Sequence, residues 1–137
     1  MTTRGWIGAT VLMLAGAGLA LGWLSSRPSA ARDLMLLYVG AEDCAPCRSW
    51  QGTEAMTFRA SPEFARIVYR EVKAPTLRDV LKDEYWPDDL RTYRDRLGRG
   101  AGVPLWLVIA DERIVQQSFG ESQWRNSVLP KIRSLIR

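Results

Sequence analysis

The stretch LLYVGAEDCAPCRSW, residues 36–50, decides the fold class of this chain. With Leu34 and Met35 ahead of it, Leu36-Leu37-Tyr38-Val39 completes a continuous apolar run, and such runs suit a strand buried on both faces. Gly40 to Asp43 read as a loop. Cys44-Ala45-Pro46-Cys47 opens a helix running toward Phe58, with Pro46 inside the first turn, where a missing N–H is tolerated. The local order is strand, loop, helix, and two cysteines three residues apart stand at the junction.

Toward the C-terminus, Ser61-Pro62-Glu63 has the form of another helix start, a cap followed by proline at the first helical position. Ile67 to Lys73 reads as a second strand. Leu77 and Leu81, then Leu90, Tyr93 and Leu97, have helical spacing. They predict helices over Thr76–Tyr85 and Asp88–Leu97, separated by Pro87 and ended by Gly98, as a helical insert over about residues 74–100. Leu105–Ala110 and Ile114–Phe119 are apolar runs joined by Asp111-Glu112-Arg113, the pattern of an antiparallel hairpin. Ser122 is expected to cap a final helix whose Trp124, Val128, Leu129, Ile132, Leu135 and Ile136 share one face and which Pro130 should kink. Strand, helix, strand, helices, strand, strand, helix makes residues 33–137 an α/β domain, a mixed sheet flanked by helices.

Toward the N-terminus, Gly5 to Leu24 holds twenty residues without a charge, about the length that crosses a bilayer core as a helix. Arg4 and the amino terminus precede it, as in a secretory signal or the cytoplasmic flank of an anchor, and both export the remainder of the chain. Ser29-Ala30-Ala31 offers small residues for cleavage after Ala31, yet the apolar stretch exceeds the usual 7 to 15 residues of a removable segment. Residues 1–32 are therefore expected to be one transmembrane signal anchor with a short linker, Ser25 to Ser29. The alternative is a cleaved signal peptide. The apolar character all round the stretch argues against a helix buried in a soluble core.

The 137 residues leave room for this segment and one domain. The net charge of +4 comes chiefly from arginines interspersed with acids, as in Arg78-Asp79 and Arg94-Asp95-Arg96. A nucleic-acid interface would show a basic stripe interleaved with stacking aromatics, so no nucleic-acid partner is expected.

Three chemistries compete for Cys44 and Cys47. A structural zinc site takes four nitrogen or sulfur ligands, and the chain has no histidine and no third cysteine, so no metal is expected. A purely structural disulfide closing so short a loop removes little unfolded-chain entropy, well under the ~3 kcal/mol of a fifteen-residue loop. A redox pair accounts for more: a thiol at a helix N-terminus faces unpaired N–H groups and the positive end of the dipole, which favour the thiolate, the attacking form.

The quoted stretch resembles the active-site strand, loop and helix of the thioredoxin family. Gly102-Val103-Pro104 with the hairpin LWLVIADERIVQQSFG, residues 105–120, resembles the second half of that fold. A lone CxxC is common, whereas CxPC after a buried strand, followed about sixty residues on by a Val-Pro opening a hairpin and a helix, is more specific. The resemblance covers residues 34 to 137. It implies Cys44 and Cys47 as the catalytic pair, with Ala45 and Pro46 as the intervening motif and no cofactor. It also implies a cis Val103-Pro104 peptide lying against the cysteines, its backbone taking up an extended substrate segment. Without the resemblance, Pro104 reads as a strand-start proline.

The partners implied are a protein disulfide and a membrane or periplasmic thiol electron donor. The site implied is a bacterial inner membrane, spanned once by residues 5–24, with the domain facing the periplasm. The alternative is a soluble periplasmic protein after cleavage near Ala31.

Three departures from the family stand out. The family's first strand and helix are missing, which makes this a shortened version. The span from Val72 to Pro104 is long, so the insert around Tyr85-Trp86-Pro87 either shapes a partner site or packs over the sheet. Tyr38 stands where the family carries a buried acid that moves protons for the second cysteine. In addition, Asp43 replaces the family's tryptophan before the first cysteine. Asp43 pushes the Cys44 thiol pKa up and Arg48 pulls it down, each through high dielectric worth roughly 1 kcal/mol or less. The function implied is thiol:disulfide exchange, acting as a reductant, and the departures motivate the alternative of a tethered binding module without turnover.

Overall fold

A computed structural model describes residues 33–98 and 100–137. The expected anchor, linker and cleavage site fall in residues 1–32, outside the described residues. Among the described residues no helix is long and apolar enough to cross a membrane.

Strand β1, Leu34–Ala41, pairs in parallel with β2, Val68–Ala74, and antiparallel with β3, Leu105–Ala110. β3 continues into β4, Arg113–Phe119, giving the order β2-β1-β3-β4. The two strands with unbroken apolar runs are thus the two central ones. Burial on both faces rewards apolar side chains at every position, whereas edge strands keep one wet face. The hairpin turns on Asp111 and Glu112 alone, both with positive φ, 49° and 62°, as the tight two-residue connection favoured by strand twist demands.

Alternation along β1 and β3 divides the core. Leu37, Val39 and Ala41 meet Leu105, Leu107 and Ile109 on one face, together with both cysteines and Trp86, Leu90 and Tyr93 from the insert. Leu36 and Tyr38 meet Trp106 and Val108 on the other, with Trp50, Phe58, Trp124, Val128 and Ile132 packed over them.

The helices correct the sequence expectations in five places. The helix expected from the cysteines to Phe58 is two: α1, Ala45–Gly52, and α2, Glu54–Arg59, broken at Thr53, which leaves helical geometry at φ −127° and ψ −81°. Gly52 is a poor helix former, and the Thr53 hydroxyl donates to the Ser49 carbonyl at 2.8 Å, so the first helix ends there. The start expected at Ser61-Pro62-Glu63 yields only a 3-10 turn, Phe64–Arg66, because Ile67 is already extended on its way into β2. The expected Thr76–Tyr85 helix is a pair of 3-10 turns, Leu77–Asp79 and Asp83–Tyr85, with Lys82 extended between them. A side chain takes a backbone group that a helix would have used: Trp86 Nε1–H donates to the Val80 carbonyl at 2.7 Å, while Asp43 Oδ1 accepts from Leu77 N–H at 2.8 Å, a first-turn donor that a helix leaves unpaired. The second insert helix is real but short, α3, Asp88–Arg94.

Finally, the terminal helix begins at Glu121, after Gly120 with φ of 91°, so Ser122 lies within it and is not its cap. It runs as α4, Glu121–Gln123, a π-helical stretch, Trp124–Val128, and α5, Leu129–Leu135. The wider π turn comes just before Pro130, which then sits in the first turn of α5, where its absent N–H matters least.

Candidate active site

β1 delivers the chain to the sheet's end, where Glu42 and Asp43 turn it into α1. Glu42 N–H donates to the Ala74 carbonyl at 3.0 Å, tying this loop to the end of β2. Cys44 is the N-cap of α1, in extended conformation at φ −92° and ψ 108°. Its Sγ accepts a hydrogen bond from Cys47 N–H at 3.2 Å, taking one of the donors that a helix start leaves unpaired. Such a cap favours negative charge on the sulfur. Pro46 lies in the first turn and spends no donor, as expected for the position.

Cys44 and Cys47 are joined in a disulfide, with Cα atoms 5.2 Å apart. Both cysteines are buried, while Ala45 and Pro46 between them are exposed and form the outer surface of the site.

The Val103–Pro104 peptide is cis. The Val103 carbonyl oxygen lies 3.9 Å from Cys44 Sγ, so two segments about sixty residues apart in sequence meet here. Pro104 is buried, and its carbonyl accepts from Gly120 N–H at 2.9 Å, which seats the segment at the head of the hairpin. Among the described residues, neither the N–H nor the carbonyl of Val103 pairs with another backbone group.

The two charges flanking the pair are engaged elsewhere. The Asp43 carboxylate holds Leu77 N–H, and the Arg48 guanidinium donates to the Glu42 carbonyl at 2.6 Å. Asp43 is thus a latch between the cysteine loop and the insert, a role that sequence distance conceals.

On the Cys47 side, a cleft of about 210 Å³ is lined by Tyr38, Cys47, Arg48, Gln51 and Lys73 among others. Tyr38 is buried in β1. Its ring stacks on Trp50 at 4.6 Å and folds back over Gly40, where a β-carbon would stand 2.2 Å from the phenol oxygen. Gly40 is therefore required by Tyr38. Burial raises the Tyr38 pKa above the ordinary phenol value, so near neutral pH it is an uncharged donor.

The acid nearest in register is Glu71, directly across β1 and β2 from Tyr38. Burial alone would raise its carboxyl, but hydrogen bonds from Tyr69 and Lys73 outweigh that and hold it below the usual value. Gln51 Nε2 donates to the same carboxylate at 3.4 Å, Tyr69 at 2.7 Å and Arg59 at 2.6 Å. Gln51 and Glu71 escape a reading of the sequence because the packing of α1 and the register of β2, not spacing along the chain, bring them toward Tyr38.

No family model matches the chain. No curated protein matches it either.

A disulfide-linked Cys44–Cys47 pair in a small domain of mixed sheet and helices is compatible with a thioredoxin-like fold, and the close pair is consistent with thiol–disulfide redox chemistry.

Proposed function

We propose that this chain is a thioredoxin-like thiol:disulfide oxidoreductase that reduces disulfides in exported proteins. The observation that carries this is the Cys44–Cys47 pair at the start of α1, with Cys44 Sγ on the helix cap and facing the Val103 carbonyl. In the reduced form the Cys44 thiolate attacks one sulfur of the client disulfide. A Cys44–client disulfide forms, and the client's other sulfur leaves as a thiolate that takes a proton from water. The Cys47 thiolate then attacks Cys44 Sγ, closing the intramolecular disulfide and releasing the second client sulfur as a thiol. Two electrons have passed to the client, and a dithiol donor must return the pair to the reduced form. Val103 and Pro104 hold the client backbone, and Ala45 and Pro46 form the surface it meets.

The uncharged stretch of residues 5–24 supports tethering to a bacterial inner membrane with the domain in the periplasm. The donor is accordingly a membrane or periplasmic thiol.

The test is the reduced full-length chain acting on a disulfide-bonded protein. Cys44→Ser abolishes reduction, and Cys47→Ser accumulates a mixed disulfide through Cys44, visible by mass spectrometry and reversed by dithiothreitol. Full activity in Cys44→Ser ends the proposal. The reduction potential gives the direction: a value near about −270 mV fits a reductant, and one near about −120 mV reverses the assignment to oxidant.

A second reading, a tethered binding module without turnover, is favoured by Tyr38 in the acid's place and by the Asp43 latch to the insert. It predicts client binding that survives Cys44→Ser/Cys47→Ser and no trapping by Cys47→Ser.

A further inference from the structure

The surface beside the disulfide is asymmetric. The Cys47 side carries the charged and polar side chains of Glu42, Arg48, Gln51 and Lys73 around its cleft, beside the apolar surface of Tyr38 and Ala41. On the Cys44 side, a cleft of about 180 Å³ lies between the insert and the segment entering β3. Every residue lining it is apolar, and its walls include Leu77, Val80, Leu81, Leu97, Val103 and Leu105. Leu77 and Leu81 are 52% and 55% exposed, a cost the fold accepts at two leucines of one short segment. An apolar cavity of about 150 Å³ accommodates benzene, so this one has room for a leucine or phenylalanine side chain.

Two contacts tie the cleft to the cysteines. Val103 forms part of its wall, while the Val103 carbonyl stands 3.9 Å from Cys44 Sγ. Asp43, the residue before Cys44, fixes the backbone of Leu77 through its carboxylate. A client segment joined to Cys44 and lying extended along Val103 advances about 3.3 to 3.6 Å per residue. The side chain one or two positions from its cysteine is therefore set alongside Val103, which forms a wall of the cleft.

We infer that the insert and Val103 form a specificity pocket that takes an apolar side chain flanking the client's cystine, so that clients are chosen on the Cys44 side of the site. The inference rests on the oxidoreductase function proposed above and adds the chemical class of its substrate.

The test uses the reduced full-length chain and two disulfide-linked peptides that differ only in the residue next to the cysteine, leucine or serine. Hydroxyethyl disulfide, which has no such side chain, is the reference. The expected result is a kcat/KM at least about tenfold higher for the leucine peptide. Leu81→Asp, at an exposed position, brings that ratio to about one and turns preference toward a lysine peptide. Equal rates for both peptides, with hydroxyethyl disulfide still reduced, overturn the pocket and leave the oxidoreductase standing. An unchanged ratio in Leu81→Asp overturns it as well. Failure to reduce any of the three overturns the oxidoreductase reading and the pocket with it.

Discussion

The two faces of the sheet are built from the same two strands yet use different materials. The face with the disulfide is mainly aliphatic: Leu37, Val39, Leu105, Leu107 and Ile109 lie under the cysteines and the insert. The opposite face is a cluster of rings, Tyr38, Trp50, Trp106 and Trp124, with successive centroids 4.6 to 5.8 Å apart, stacked only between Tyr38 and Trp50. Rings offer large buried area in few side chains and suit a permanent core. The aliphatic face instead ends in an open cleft, where smaller side chains leave room beside Cys44. One face fixes the fold, and the other is shaped around the disulfide.

Polar satisfaction differs in the same sense. On the disulfide face, the Trp86 indole N–H is hydrogen-bonded to the Val80 carbonyl. On the ring face, among the described residues, the buried indole N–H groups of Trp50 and Trp106 have no hydrogen-bond partner. Trp86 thus holds the insert in shape through a polar bond as well as by packing, while Trp50 and Trp106 act through packing alone.

The largest effect expected from this contrast is on stability. Trp106→Ala should cost about 3–5 kcal/mol by urea unfolding. Leu107→Ala, the next residue but on the other face, should fall at or below it, within about 2–5 kcal/mol. A costlier Leu107→Ala breaks the idea that the rings carry the core.

Smaller substitutions sharpen the polar contrast. Trp86→Phe orphans a buried carbonyl and should cost about 1–3 kcal/mol beyond its lost area. Trp106→Phe removes a donor that had no partner and should cost less. Equal losses in the two variants would remove the distinction. Asp43→Ala releases Leu77 N–H near solvent and should cost about 0.5–1.5 kcal/mol, toward the lower end. Faster hydrogen exchange confined to Leu77 and its neighbours would show that the latch is local.

The least effect is expected at Glu71, and it depends on pH. Its folded-state pKa lies below the unfolded value of about 4.3, so its contribution is fully present above that pH and is lost as pH falls through the lower folded value. The stability gap between the parent and Glu71→Gln should therefore be widest near neutrality and close in acid. A gap that is constant down to pH 2 would show that the contribution of Glu71 does not depend on its charge.

Much of the fold is legible in the sequence because central strands and a hairpin leave strong local marks. β3 occupies the residues expected, and β1, β2 and β4 differ from expectation by one or two residues at their ends. The insert misleads where Leu77 and Leu81 imitate one helix face, since that spacing serves an exposed wall and the Val80 carbonyl goes to Trp86. The final helix shows itself through its apolar stripe, but the π turn ahead of Pro130 leaves no mark in residue spacing.

By itself, the sequence determined the strand order along the chain, the position of Cys44 and Cys47 at the head of a helix, and the uncharged stretch near the N-terminus. These depend on neighbours within a few residues: apolar runs, a capping position, a proline that spends no donor. The tertiary structure alone decided that Val103 faces Cys44, that Glu71 lies across from Tyr38, that Asp43 holds the insert, and that an apolar cleft opens beside the disulfide. Those facts depend on strand register and on segments packed from far apart in the chain, and a one-residue slip in register would reverse which face each side chain joins.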